Sequence, residues 1–507
     1  MEATTSGGGM VTSGPEVRIA TGGVRGRTGD GVSVFLGIPF ARPPLGDLRF
    51  AAPVRAEAWG GARDCVAFGP PPPQQSMLTD TPARDRAGES WLTVNVWTPS
   101  PGPAARLPVL VWIYGGAYRA GEAGDSVYDG TVLAREGGVV VVTLNYRVGM
   151  EGFAQIEGAP ANRGLLDQVA ALEWVRDNVA AFGGDPGRVT VFGESAGAGS
   201  IAALLAMPRA AGLFGRAVAQ SVPGTFFSAP LAADIAAVLA GELGLRASVA
   251  DLAAVAPERL VAATEAFNGK MLQYEDRWGP VARTVTPFSP VVDGDVLPRD
   301  PWAALAGGAA REVELVAGHN RDEYRLFMGM GRPPASWEER ADELLRAFAP
   351  GIDYRAAFPG AGAEELCELV QSDWLFRMPS LRLAEAQAAG GGRAYVYELT
   401  WPSPAGGGEL GACHALDVPL VFGNLGSGMA RFFLGDPVPP GAAEVSADFR
   451  RAWTAFAAGE GPGWEAYEPG RRLVRLFDTP PSVEPYPEET SRRLWTAHRF
   501  GTLPLHA

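Results

Sequence analysis

Between Val189 and Pro208 the chain reads VTVFGESAGAGSIAALLAMP, with Ser195 two residues from Gly193 on one side and two from Gly197 on the other. A serine in that setting can attack an acyl carbon. A strand, a sharp turn and a helix in succession lift the hydroxyl above a sheet, and the backbone N–H of Ala196, at the helix N-terminus, faces the oxygen on which negative charge develops. With 66 glycines in the chain the pattern alone is weak, and its context decides. VTVF supplies a β-branched run before it, and SIAALLAMP supplies an alanine-rich helix after it that Pro208 ends.

A serine hydroxyl at neutral pH needs a base. Of the four histidines, His498 and His506 lie at the extreme C-terminus, which leaves His319 and His414. The order nucleophile, acid, histidine assigns the base to His414, which has carboxylates between it and Ser195, whereas His319 precedes the best acids. Those acids are Asp322 and Glu323, in AGHNRDEYRLF directly after a predicted strand, and spacing does not separate them. Asp293 and Asp295, in VVDGDVLP, form a second candidate pair. A histidine base implies activity that fades as pH falls through about 6.5. Further oxyanion donors are expected after an earlier strand, and VLVWIYGGAYRAG offers Gly115 and Gly116, which expose backbone N–H groups without side-chain obstruction.

The elements that must hold these groups are legible as continuous apolar runs, the mark of strands covered on both faces. They are Leu107 to Ile113, Val139 to Leu144, Val189 to Phe192, Glu312 to Val316 and Ala394 to Leu399. Between the second and third, Leu165, Val169, Leu172 and Val175 recur at helical spacing and Gly183 and Gly184 supply a stop, which predicts a crossover helix joining parallel strands. The alternation predicts an α/β architecture: a doubly wound, mostly parallel sheet flanked by helices. No linker-like stretch divides the middle, so a single domain over residues 15–507 is expected, with residues 1–14 as a disordered tail.

Composition narrows the function classes. A formal charge of −14 with no basic cluster excludes nucleic acid as a partner. No apolar run approaches the roughly 18 residues of a membrane span, and the start lacks the basic and apolar regions of an export signal, so a cytoplasmic location is expected. Cys65, Cys367 and Cys413 fit no zinc spacing and read as buried thiols.

The sequence resembles the type-B carboxylesterases, the family of acetylcholinesterase and bacterial para-nitrobenzyl esterases. The likeness rests on FLGIPFARPPLGDLRF, ESWLTVNVWTP, LPVLVWIYGGAYRAG, VVVVTLNYRVGMEGF, the block from Asn162 through GESAG, GHNRDEYRLF and CHALDVPLVFGNL, in family order from about Val17 onward. It implies the α/β-hydrolase fold and a carboxylesterase that cleaves aryl or short-to-medium acyl esters through an acyl-enzyme. It also implies Ser195 as nucleophile, His414 as base, Glu323 rather than Asp322 as acid, and oxyanion N–H groups from Gly116, Ala117 and Ala196, with no metal and no cofactor. Relatives with other substrates imply a carbamate, amide or detoxifying hydrolase as an alternative, or, with a triad member lost, a non-catalytic binding protein.

Three departures stand out. Ala117 replaces the third glycine of many relatives. Pro72 and Trp91 occupy the positions of a disulfide found in secreted relatives. Val222 replaces a frequent glycine near Ser221. Glu194 is read as structural in the family, on the ground that so tight a turn points neighbouring side chains apart. Tyr114, Tyr118, Phe226, Phe227, Phe327 and Leu420 are candidates to line a substrate gorge, each equally well explained as core.

Overall fold

The computed structural model describes residues 14–75, 90–330 and 333–506. The expected disordered tail, residues 1–14, lies outside them but for Gly14. Among the described residues an 11-stranded sheet forms the centre. In chain order its strands are β1 (Arg27–Gly29), β2 (Val32–Pro39), β3 (Thr93–Thr98), β4 (Leu107–Ile113), β5 (Val140–Leu144), β6 (Gly184–Glu194), β7 (Arg216–Gln220), β8 (Glu314–Asn320), β9 (Ala394–Leu399), β10 (Leu473–Phe477) and β11 (Ser482–Pro485). They lie side by side as β11-β10-β9-β8-β7-β6-β4-β5-β3-β2-β1. Every neighbouring pair from β5 across to β10 is parallel, and the strands outside that block are antiparallel.

The expected strands all form, Leu107–Ile113 and Ala394–Leu399 with the expected bounds and the other three with shifted ends. β8 starts two residues later than predicted and runs on to Asn320, because Gly318, His319 and Asn320 pair with Tyr397, Glu398 and Leu399 of β9. Neighbour pairing, not apolarity, extends it, and polar His319 and Asn320 hid that extension. The crossover helix is α1 (Arg163–Asn178); a tight turn at Val179–Phe182 follows, and Gly183 at φ +88° closes it while Gly184 already belongs to β6. The apolar run at β5 is buried throughout, as helices on both sheet faces require.

The functional end of the sheet is set by one register. Ile113, the last residue of β4, sits opposite Gly193 in β6. β6 ends one residue before Ser195, and α2 (Ala196–Ala206) begins one residue after it. A Cβ at Gly193 would lie 2.5 Å from the Ile113 carbonyl oxygen, and one at Gly197 only 2.0 Å from it. Strand, turn and helix thus close on the end of β4 at a distance that no side chain tolerates. Gly197→Ala forces two backbones apart, and the expected loss is about 1–3 kcal/mol of stability or more, read as a lowered midpoint in chemical denaturation. An unchanged midpoint contradicts this account of the junction.

Candidate active site

Ser195 occupies φ +56°, ψ −124°, a backbone conformation that costs a residue with a side chain about 1–3 kcal/mol and is held by its surroundings. Its N–H donates to the Gln220 carbonyl at 2.9 Å, and its own carbonyl accepts the Gly199 N–H at 2.9 Å, so the turn is tied to β7 on one side and to α2 on the other. Because β4 runs directly into residues 115–118, the same register brings that glycine-containing loop beside the serine. A Cβ at Gly115 would lie 3.0 Å from the Ser195 Cβ. Among the described residues, the N–H groups of Gly116, Ala117 and Ala196 donate to no protein acceptor, and all three residues line one cavity together with Ser195 and His414.

His414 is carried by a loop rather than by a regular element, and the turn after β8 holds that loop in place. Asp322 N–H donates to Ala412 O at 2.9 Å, His414 N–H to Glu323 O at 3.2 Å, and the Asn320 side-chain amide to Cys413 O at 2.7 Å. Asp322, the acid that spacing alone could not distinguish from Glu323, is spent on this frame: its carboxylate accepts the Ala412 N–H at 2.8 Å and pairs with Arg325 at 3.0 Å. Glu323 is fully buried and aims at the imidazole, with Oε2 2.6 Å from His414 Nδ1. Its other oxygen accepts from Ser221 Oγ at 2.5 Å and from the Asn320 N–H at 2.8 Å. Asp293 serves its own turn, accepting the Leu297 N–H at 2.9 Å. His319 is fully buried, with Nε2 2.9 Å from the Tyr486 hydroxyl and Nδ1 3.0 Å from Asn320 O, and burial lowers it to about 3.

Glu194 departs from the expectation that it points away. Alternation of side chains belongs to extended backbone, and the positive φ at Ser195 breaks it, so the Glu194 carboxylate turns into the cavity and Oε1 lies 3.0 Å from His414 Nε2. The imidazole is therefore flanked by a carboxylate at each nitrogen, and no hydrogen bond joins it to Ser195 Oγ among the described residues. Burial opposes charge on the ring, but Glu194 and Glu323 outweigh it and push His414 up to about 10. The arrangement is that of an imidazolium, the form His414 takes after accepting a proton. Asp417 adds a third carboxyl nearby. Burial, with Glu194 second, pushes it up to about 7 while Gln220 and Tyr397 donate to its Oδ2 at 2.8 and 3.1 Å.

Of the proposed gorge residues, Tyr118, Phe227 and Phe327 line the cavity. Tyr114, Phe226 and Leu420 do not. The Tyr114 ring stacks on Tyr146 with centroids 4.4 Å apart and its hydroxyl bonds to the Tyr146 backbone; Phe226 packs edge-on against Trp302; Leu420 is wholly buried in the helix Asp417–Phe422. Tyr114 and Phe226 lie beside cavity residues in sequence, yet all three turn into the core, where an apolar side chain removes most area from water. Sequence reasoning missed Phe376, whose ring stacks on His414 at 4.2 Å, and Thr286, Phe288, Leu375 and Met429, which line the same cavity. Phe376 sits in a π-helical turn, Asp373–Arg377, and a bulge of that kind is a recurrent feature of functional sites, though one with no sequence motif.

The model of the carboxylesterase family matches residues 13–483. The chain is 37% identical to para-nitrobenzyl esterase of Bacillus subtilis over 93% of its length and 96% of the relative's. It is 34% identical to fumonisin B1 esterase of Sphingopyxis macrogoltabida, over 86% of this chain and 80% of that one. The crystal structure of a Geobacillus stearothermophilus carboxylesterase superposes with a TM-score of 0.83 at 34% identity, covering 95% of this chain and 99% of that one.

Because His414 is raised, the neutral ring is lost as pH falls through a midpoint above the ordinary value of 6.5, so kcat/KM is expected to climb on the alkaline side of it. Glu194→Gln removes one flanking charge and is expected to move that midpoint down by about one to three pH units. Identical pH profiles for the two proteins would contradict the electrostatic role of Glu194.

Proposed function

This chain belongs to the carboxylesterase family and is a carboxylic ester hydrolase; we propose that Ser195, His414 and Glu323 carry the reaction and that Gly116, Ala117 and Ala196 form the oxyanion hole. The observation that supports this reading is the convergence on one cavity of the serine at a strained turn, a carboxylate-bound histidine, and three N–H groups with no protein acceptor among the described residues.

In the productive state Nε2 of His414 exchanges Glu194 for the Ser195 hydroxyl and takes its proton as Oγ attacks the ester carbonyl. The carbonyl π pair moves onto oxygen, which the three N–H groups stabilise. The tetrahedral intermediate collapses, its C–O bond to the alcohol breaks, and His414 hands the proton to the departing alkoxide. Water then repeats the sequence on the acyl-enzyme, with His414 again the base, and releases the carboxylic acid and the free serine. Glu323 keeps Nδ1 protonated and stabilises the imidazolium at each stage. Phe227, Phe288, Phe327, Leu375, Phe376 and Met429 give the cavity apolar walls, which suit uncharged aryl or short-to-medium acyl esters. The three cysteines are free and buried, which accords with activity in a reducing cytoplasm.

A fluorophosphonate probe followed by peptide mapping is expected to label Ser195. Ser195→Ala and His414→Ala are each expected to lower kcat on an aryl ester by about 10⁴, whereas His319→Gln leaves kcat per folded molecule unchanged. Label at another residue, or equal collapse of the His319 and His414 variants, overturns the assignment.

A further inference from the structure

The oxyanion loop is held at three successive carbonyls, those of Gly116, Ala117 and Tyr118. The Gly116 carbonyl accepts from Arg119 N–H at 3.1 Å and Ala120 N–H at 3.0 Å, which fixes the peptide whose other face carries the Ala117 N–H. The Tyr118 carbonyl accepts from Gly149 N–H at 2.7 Å. Between these two anchors the backbone is strained: Ala117 at φ +57° and Tyr118 at φ +58° both sit in the left-handed region, where a Cβ crowds the neighbouring carbonyl. The carbonyl between them, that of Ala117, meets no backbone N–H among the described residues. Its partner is the hydroxyl of Thr286, a residue that lines the same cavity, with Oγ1 2.8 Å away.

The direction of that hydroxyl is determined. The Phe288 N–H donates to Thr286 Oγ1 at 3.1 Å and occupies a lone pair, so the one O–H proton goes to Ala117. Thr286 is itself braced, because its carbonyl lies 3.0 Å from the Thr284 hydroxyl, which also reaches Val281 O at 2.8 Å. A threonine with such a fixed donor, aimed at a carbonyl that lies between two strained residues and meets no backbone N–H among the described residues, does more than fill space.

We propose that Thr286 is a positioning residue for the oxyanion hole: its hydroxyl locks the peptide between Ala117 and Tyr118 and so keeps the N–H groups of Gly116 and Ala117 aimed at the developing oxyanion. The inference rests on the reading of those N–H groups given above. Without the hydroxyl, the 117–118 peptide is free to rotate, which relieves Tyr118 of its positive φ and shifts the Ala117 backbone. A displacement of about 1 Å in such a site costs up to about 10²-fold in rate.

The test compares Thr286→Val, which keeps the shape and loses the donor, with Thr286→Ser, which keeps the donor. Active sites are titrated with a fluorophosphonate, kcat and KM are measured on an aryl ester, and affinity is measured for an aryl trifluoromethyl ketone, whose tetrahedral adduct places an oxyanion in the hole. The valine variant is expected to lose about 10- to 100-fold in kcat, to keep KM within about threefold, and to lose ketone affinity in parallel; the serine variant is expected to recover kcat. If the valine variant does not fold, Thr286→Ala is read by the same criteria. A wild-type kcat in the valine or alanine variant, a rise confined to KM, or a serine variant no better than valine overturns the role of Thr286. Failure of the wild-type protein to be titrated at Ser195 instead overturns the functional reading on which the inference depends.

Discussion

The contact on which this molecule depends is between backbones: the end of β6 and the start of α2 pressed against the carbonyl of Ile113 at the end of β4. Glycine at 193 and 197 is what allows it, since a methyl at either position would overlap that oxygen. Two consequences follow from one approach. Ser195 is pinned in a conformation it would not adopt alone, and the loop that continues β4 arrives beside it, with Gly115 packed against the serine Cβ. Ser195 and the N–H groups proposed as oxyanion donors are therefore neighbours because of sheet register, before any side chain is considered. The same logic places His414: β8 lies two strands from β6 across β7, and the turn after it carries Glu323 and ties down the histidine's loop through backbone bonds.

Electrostatics supplies the second layer. A buried imidazole loses hydration when charged, and a lone one would stay neutral, as His319 does beside Tyr486. His414 is equally enclosed yet is raised, because two carboxylates face its two nitrogens. The pocket thus favours the charged form of the ring, so the neutral form that a base needs is gained only as pH rises. Stabilising that form has a counterpart: for the proposed reaction, Nε2 must first give up its contact with Glu194. Asp417, pushed up to about 7 chiefly by burial, spares the cluster a further full negative charge at lower pH.

Much of this was legible in the sequence, and the exceptions share a cause. The parallel strands, the crossover helix and the elbow around Ser195 are all written in local patterns of apolar residues and turn formers. Which way a side chain at a strand end points is not. Tyr114 and Phe226 adjoin site residues in sequence but face the core, and Glu194 turns inward because the positive φ at its neighbour breaks the alternation that sequence reading assumes. Thr286 and Phe376 lie in a coil and in a π-helical turn, where neither a period of two nor one of 3.6 applies, and only the folded chain brings them to the cavity. The choice between Asp322 and Glu323 was equally beyond spacing, since both side chains are buried and hydrogen-bonded and differ only in what they reach.

Sheet register brings Ser195 and the N–H groups proposed as oxyanion donors to one cavity, where they can meet at a single reacting carbon. A crystal structure of the protein after covalent reaction with an aryl phosphonate tests it most directly. The account predicts phosphorus bonded to Ser195 Oγ, the phosphonyl oxygen within hydrogen-bond distance of the N–H groups of Gly116, Ala117 and Ala196, and Glu323 still bound to His414. A phosphonyl oxygen directed away from all three N–H groups, with the loop in the conformation described above, would contradict it.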